Sequence, residues 1–198
     1  MLLGQMVKKT ALYLFILMAS SCAMETVVPE TPYSKFSRES LYNLEHWSFD
    51  GRLGLTNGKE SWQANINWQH KPNDEEMKLS GPLGQGAIVI KLTGEKVTID
   101  RGNAKIQTSS QPEVFISQQV GMFVPVHSLR YWVIGVPEPG ISFIDTPVGF
   151  RQSGWLIEYK QMQRVNERNM PRRVTVANER VKLKIMIDQW ALNVGKTI

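Results

Sequence analysis

A strictly alternating stretch, Trp62 to Gln69, is the feature that most restricts how this chain can fold. Its apolar members are Trp62, Ala64, Ile66 and Trp68, and an amide residue follows each of them. Successive side chains of a β-strand point to opposite faces, whereas the faces of a helix repeat every three to four residues. The stretch therefore predicts a strand with one apolar face and one polar face.

Turn signals join this strand to further short strands. Asn57-Gly58 is a strong hairpin signal between it and a partner strand from Phe49 to Leu55, and Asn178 to Arg180 is predicted to form a later turn. Because no helical crossover separates neighbouring strands, parallel βαβ folds are excluded and an antiparallel meander of about ten strands is predicted. The other predicted strands are 85–92, 97–99, 104–108, 141–144, 154–162, 172–177 and 181–190.

Two helices are predicted to interrupt the meander. Ser110 to Glu113 has the form of a capping box, and the helix after it has an apolar side formed by Val114, Phe115, Val120 and Phe123. A second helix is predicted from Ser128 to Gly135, with Leu129, Trp132, Val133 and Val136 at helical spacing. A short helix is also expected within 36–46. The predicted fold is mostly β: a curved antiparallel sheet, or half-open barrel, with a helical lid and an apolar cavity.

The amino terminus has the features of an export signal. Lys8 and Lys9 precede an apolar run that is too short to span a bilayer, and small residues lead to Cys22, the only cysteine. This pattern resembles the lipobox of bacterial lipoproteins, although Ala19 replaces the usual Leu. The resemblance implies a lipid anchor on Cys22, and the absence of Asp after it favours the outer membrane. The predicted organisation is a signal peptide at 1–21, a tether at 22–37, one domain at 38–192 and a tail at 193–198; the start codon is Met1 or Met6.

The inward face of the predicted sheet is rich in aromatic residues. Such a face either fills a core or lines a space for an apolar ligand, and the sequence leaves both possibilities open. The predicted lining of an acyl-chain cavity is Trp47, Phe49, Leu53, Trp62, Ile66, Trp68, Trp132 and Trp155.

The stretch from Met77 to Gly86 has turn chemistry but an unusual apolar content. Its Pro and Gly residues predict a turn, yet Leu79, Pro82 and Leu83 are apolar. The turn either folds back onto the core or forms an apolar prong that meets a lipid. A phosphate-binding loop is excluded, because Gly86 is followed by β-forming residues rather than by Lys and Ser or Thr.

Composition and motifs argue against several classes of function. Without Lys8 and Lys9, which precede Cys22, the 23 basic residues fall to 21, against 18 acidic ones, and no basic stripe is visible in the sequence, so no nucleic acid partner is expected. The three histidines are far apart, and no G-x-S-x-G motif occurs. Asp74-Glu75-Glu76 is predicted to be a solvated loop. We therefore expect no enzyme activity, no cofactor and no metal.

Several stretches together resemble the LolB family of outer-membrane lipoprotein receptors. They are Phe49 to Leu53, Trp62, Trp68, Leu79 to Gly86, Gly121, Val124 to Val126, Leu129 to Trp132, Gly135, Pro137, Trp155, Tyr159, Met170-Pro171 and Leu183 to Trp190. The resemblance implies a half-open barrel with an acyl-chain cavity, lipid-anchored to the outer membrane and facing the periplasm.

A member of this family takes lipoproteins from the periplasmic carrier LolA and inserts them into the inner leaflet of the outer membrane. Its partners would be LolA, lipoprotein acyl chains and outer-membrane lipid, and a monomer is expected. The family's protruding leucine corresponds by motif to Leu79, with Leu83 as the other candidate. The alternative is a structural or lipid-binding outer-membrane lipoprotein with no transfer activity.

Overall fold

The computed structural model describes residues 32–81, 86–102 and 106–192. The predicted signal peptide, the Cys22 anchor, most of the tether, the tail, and Pro82 with Leu83 lie outside these residues. A single antiparallel sheet dominates the described part of the chain, and its eleven strands follow the order β6-β5-β4-β3-β2-β1-β11-β10-β9-β8-β7. The strands are β1 Trp47–Thr56, β2 Ser61–Lys71, β3 Asp74–Ser80, β4 Ile88–Thr93, β5 Lys96–Asp100, β6 Ile106–Ser109, β7 Phe143–Thr146, β8 Gly149–Gln152, β9 Trp155–Val165, β10 Arg168–Ala177 and β11 Lys182–Leu192.

The first and last strands are neighbours in the middle of this sheet. Trp47 pairs with Leu192 and Thr56 pairs with Lys182, with one register shift between Asp50 and Gly51. The sheet is not closed, since β6 and β7 are its two edges. The predicted class, a mostly β protein built on a half-open antiparallel sheet, is confirmed.

The two ends of the sheet are useful landmarks. We call the end where β1 begins and β11 finishes, at Trp47 and Leu192, the tether end. The opposite end, with the hairpin 57–60 and the turn 178–180, is called the mouth end. At the hairpin, Asn57 Oδ1 accepts hydrogen bonds from the N–H groups of Lys59 and Glu60, which confirms the predicted turn.

The helices lie outside the strand ladder. Helix α1 is Arg38–Tyr42, and a 3₁₀ turn at Lys35–Ser37 precedes it; α2 is Pro112–Val120 and α3 is Val126–Trp132. The last two connect one edge of the sheet to the other, because they follow β6 and precede β7. No helix in the described part of the chain is long and apolar enough to cross a membrane.

Details of α2 correct the sequence-based predictions. Gln111, not Ser110, is its N-cap, and no side chain caps the helix, so the predicted capping box is wrong. Gly121 ends the helix in the left-handed region, at φ 73°, where glycine has no steric penalty. Val114 and Phe123 are 51% and 49% exposed, and Ile116 is the buried apolar residue of α2 instead.

Strand β3 corrects the prediction of a long turn before Gly86. Asp74 to Ser80 pairs with β2 on one side and with β4 on the other, so the acidic cluster and Met77 to Ser80 belong to the sheet. Acidic residues disfavour strands intrinsically, but pairing on both sides and the burial of alternate side chains outweigh that preference. Within the cluster, Glu75 is buried rather than solvated.

Candidate functional site

A small apolar cavity lies between the sheet and the helices, in the half of the sheet nearer the mouth end. Its volume is about 60 Å³. The fourteen residues that line it are all apolar: Leu53, Leu55, Trp62, Ile66, Trp68, Met77, Leu79, Ile90, Ile116, Val124, Val126, Leu129, Leu183 and Ile185. Helices α2 and α3 contribute Ile116, Val126 and Leu129, so these helices form a lid over an apolar surface of the sheet.

The structure brings only part of the predicted cavity lining together. Leu53, Trp62, Ile66 and Trp68 line the cavity. The other four predicted residues do not line it: Trp47, Phe49, Trp132 and Trp155 are buried elsewhere. Leucine and isoleucine residues of β3, β4 and β11 take their place. Their alternation in β11 was visible in the sequence, but the register that faces them toward Leu53 and Leu55 was not.

Aromatic rings fill the half of the sheet nearer the tether end. The ring of Trp47 lies 5.4 Å from that of Trp68 and 5.0 Å from that of His70, and the rings of Phe49 and Trp190 are 5.1 Å apart. Stacked and edge-to-face arrangements at these distances are favourable beyond their buried area. These rings pack closely together, and the apolar cavity lies mainly in the other half, with Trp68 at the boundary. A separate pocket of about 150 Å³ borders Trp47, His70 and Arg130.

Trp132 anchors the end of α3 to strands β8 and β9 of the sheet. Its indole N–H donates to Gln152 Oε1 over 2.8 Å, and its carbonyl accepts from the Tyr159 hydroxyl over 2.8 Å. The ring lies 6.2 Å from that of Trp155. Burial raises the pKa of Tyr159 well above its ordinary value, so the hydroxyl remains a donor at physiological pH.

A buried carboxylate anchors α3 to the first part of the sheet. Glu75 Oε2 accepts the Trp68 indole N–H over 3.0 Å. Arg130 Nε of α3 lies 2.8 Å from Glu75 Oε1 as an ion pair, in a direction that does not make a hydrogen bond. His70 Nδ1 lies 3.5 Å from the same oxygen, and Arg130 Nη2 contacts His127 Nδ1 at 2.9 Å. Sequence reasoning missed this cluster, which joins two strands to the lid.

These charged groups do not make a metal site. In the ranges 32–81, 86–102 and 106–192, no group of three or more histidine, cysteine, aspartate or glutamate residues stands close enough together to hold a metal ion. The Glu75 carboxylate instead has indole and guanidinium partners, which are suited to holding elements together.

Leu79 is not an exposed residue of a prong. It lies in β3, is 7% exposed and lines the cavity beside Ile66, its cross-strand partner. The alternating burial of β3, with Glu75, Met77 and Leu79 all inward, fixes this orientation. The expectation that Leu79 protrudes is therefore wrong, and Leu83 lies outside the described residues.

Comparison with known proteins decides the family. The family model described as "Outer membrane lipoprotein LolB" matches residues 45–190, which include the whole cavity lining. The chain belongs to the LolB family. An outer-membrane lipoprotein LolB of Chromohalobacter salexigens is 30% identical over 187 residues, covering 89% of this chain and 87% of that one. Another, of a Marinomonas species, is 26% identical over 185 residues, covering 90% of this chain and 94% of the relative.

A solved structure is also similar to this chain in its backbone fold. The crystal structure of a LolA superfamily protein from Nitrosomonas europaea superposes with a TM-score of 0.48 at 7% identity. The match covers 79% of this chain and 90% of the other.

Proposed function

We propose that this protein receives lipoproteins from the periplasmic carrier LolA and inserts them into the inner leaflet of the outer membrane. Membership of the LolB family supports this role, and the observation that carries it is the wholly apolar cavity beneath the lid. Each buried CH₂ group is worth about 0.8 kcal/mol, so a sixteen-carbon chain in water costs on the order of 12 kcal/mol. A protein that moves such chains needs an apolar lining of this kind.

The lid has to open before a chain can enter. A volume of about 60 Å³ accommodates only a few methylene-sized groups, far fewer than one acyl chain contains. We propose that α2 is the part that moves. Its described side chains bury only Pro112 and Ile116, whereas α3 buries Val126, Ser128, Leu129 and Trp132 and is fixed by Arg130 as well. Gly121, in its left-handed conformation between the two helices, is placed to act as the hinge.

The proposed transfer involves no covalent step. We propose that an acyl chain leaves the carrier for the opened cavity and then for the bilayer, where its apolar surface is fully buried, so that the transfer as a whole is favourable. No catalytic residue or cofactor enters this scheme, and a monomer is sufficient for it.

The membrane-inserting residues are proposed from the sequence. Because Leu79 is buried, we assign the apolar prong to Pro82 and Leu83, which follow the last residue of β3. The strand residues on either side of this segment, Ser80 and Ile88, lie toward the mouth end, since Ser80 pairs with Asn65 and Ile88 pairs with Leu79. We also propose that Cys22 carries the lipid anchor, in agreement with the names of the relatives.

A transfer assay tests the proposed function. A Cys22→Ala chain that starts at residue 22 is mixed with LolA carrying a fluorescently labelled lipoprotein, and liposomes are added later. We expect the label to move first to this protein and then to the liposomes. If the lipidated protein also leaves the label on LolA, the receptor role is wrong. Failure to take up a fluorescent fatty acid as well would favour a structural lipoprotein with a filled core.

A further inference from the structure

A basic groove crosses the outer face of the sheet, on the side away from the lid. It is open and has a volume of about 720 Å³. The charged side chains that line it are Arg52, Glu158, Lys160, Arg173, Lys182 and Lys184. The five cations come from β1, β9, β10 and β11, so they are scattered in the sequence and converge only in the folded sheet.

Strand register explains how the groove forms. Lys184 of β11 pairs with Gly54 on one side and with Thr175 on the other. Gly54 has no side chain, and a Cβ added to it would meet nothing within 4 Å, so the floor beside Lys184 is open. Arg173 pairs with Met186 and is therefore a diagonal neighbour of Lys184, close enough for both side chains to reach one small anion.

Three of the cations have no acidic partner among the described residues. Lys160 lies 2.9 Å from Glu158, and Arg52 lies 2.8 Å from Asp188. Arg173, Lys182 and Lys184 make no such ion pair. Lys182 and Lys184 point to the same face because they are two residues apart on one strand. Arg173 shares that face, since its partner Met186 is two residues beyond Lys184. The groove therefore has a local excess of positive charge that the protein itself does not neutralise.

The groove continues to the mouth end. Lys182 also borders a second depression, of about 930 Å³, whose other charged lining residues are Lys59, Arg180 and one acid, Glu179; the half-exposed Phe123 lies beside them. The basic surface thus runs from the outer face to the end of the sheet where the lid helices meet. An extended surface of this kind matches a layer of anionic groups better than a single small molecule.

We propose that the basic groove binds the phosphate groups of anionic phospholipids and holds the mouth end against the membrane surface. The orienting role rests on the proposed function, whereas the binding of lipid phosphates does not. Each cation near an anionic membrane surface strengthens binding about fivefold, so several together give measurable attachment without a lipid anchor.

Vesicle flotation tests the proposal. The Cys22→Ala chain from residue 22 is mixed with vesicles of phosphatidylcholine alone or with phosphatidylglycerol added, at low and high salt. We expect binding only to the anionic vesicles and its loss at high salt. The double variant Arg173→Gln/Lys184→Gln should bind roughly 30-fold more weakly. Lys71→Gln/Lys96→Gln is the control, since it removes the same charge from exposed positions outside the groove and should retain binding.

Several outcomes would overturn the proposal. One is an equal loss of vesicle binding in both double variants, and another is equal binding of the protein to neutral and anionic vesicles. A third is displacement of the protein from the vesicles by millimolar inorganic phosphate, which would indicate a free anion as the ligand. If the groove variant bound vesicles normally but failed to bind LolA, the groove would be a protein interface instead. If vesicle binding depended on the groove while cargo acceptance failed in every form, the proposed function would be wrong and the groove would stand.

Discussion

At the residue scale, Glu75 shows how one position in an acidic run can differ from its neighbours. Asp74 and Glu76 face the outside of the sheet, where Glu76 lies within 3.0 Å of Lys78 and Lys91. Glu75 faces inward, and its side chain is 4% exposed, between Trp68 and Arg130. Alternation along β3 is the physical cause, because successive side chains of a strand point to opposite faces.

Replacement of Glu75 by Gln is expected to lower the free energy of unfolding by about 3 kcal/mol, because it leaves Arg130 without its buried counter-charge. The matched control is Glu76→Gln, which removes only exposed ion pairs and should cost about 0.5 kcal/mol. Urea denaturation of both variants measures the difference. Equal effects would show that the Glu75–Arg130 pair does not hold the lid.

Glu76 also predicts a small dependence of stability on pH. Hydrogen bonds from Lys78 and then Lys91 lower the pKa of Glu76 below its ordinary value of about 4.5. A carboxylate with a lowered pKa stabilises the fold above its unfolded pKa, and this contribution is lost as the pH falls through the folded pKa. The stability difference between wild type and Glu76→Gln should therefore be present at pH 7 and decline as the pH falls below about 4.5, through the lowered folded pKa of Glu76. A constant difference across this range would contradict the assignment.

Variants with a charge at Leu79 or at Leu83 are expected to be defective at different steps of transfer. Leu83→Glu puts a charge on the proposed prong, so it should accept cargo from LolA but deposit little of it in liposomes. Leu79→Glu puts the charge in the cavity lining, so it should lose acceptance and stability. The two steps are read separately in the transfer assay, with circular dichroism as the check on folding. Normal deposition by Leu83→Glu would remove the prong from the mechanism.

The sequence shows which side chains share a face but not where each face lies along the sheet. Trp47 and Trp62 alternate inward as predicted, yet one lies in the packed aromatic half and the other at the cavity. That difference depends on how β1 pairs with β2 and with β11. The β1 and β11 partners are separated in sequence by almost the whole domain. Local patterns carry no information about such distant partners.

At the element scale, the two lid helices are held very differently. Helix α3 is fixed by Trp132 and Arg130, whereas α2 depends on the buried Ile116 and Pro112 and the partly buried Phe115. Sequence periodicity found both helices, but on the predicted apolar side of α2 it included the exposed Val114 and omitted the buried Ile116, whereas Phe115 does pack against the core. The predictions also missed β8, Gly149–Gln152, since four residues that begin with glycine show no alternation long enough to recognise.

Ile116→Ala is expected to loosen α2 and to speed the uptake of a fluorescent fatty acid. Removal of the buried side chain should cost about 2–4 kcal/mol of stability, since it leaves a cavity under the helix. Val114→Ala, on the exposed side of the same helix, should change neither quantity by a measurable amount. Stopped-flow fluorescence gives the uptake rate, and identical rates for the two variants would argue against α2 as the moving part.

At the scale of the whole molecule, the interior is packed differently in the two halves of the sheet. Rings of Trp47, Phe49, Trp68 and Trp190 pack against one another in one half, while the small cavity in the other half is lined mostly by aliphatic side chains, together with Trp62 and Trp68. The packed half provides rigidity, so a lid movement in the other half does not require the sheet to reorganise. The basic groove lies on the outer face of the same strands, so the proposed cargo cavity and the proposed site for lipid phosphates lie on opposite sides of one sheet.

The position of β11 beside β1 has a consequence for how the protein is made. Trp47 and Leu192 are direct partners, so the central ladder cannot form until nearly the entire chain has emerged. Before then, the half that contains β1 to β6 has an unpaired edge at β1, and slow closure of such distant contacts is expected. A chain that completes the centre of its sheet last is expected to reach its folded state only when its synthesis is nearly finished.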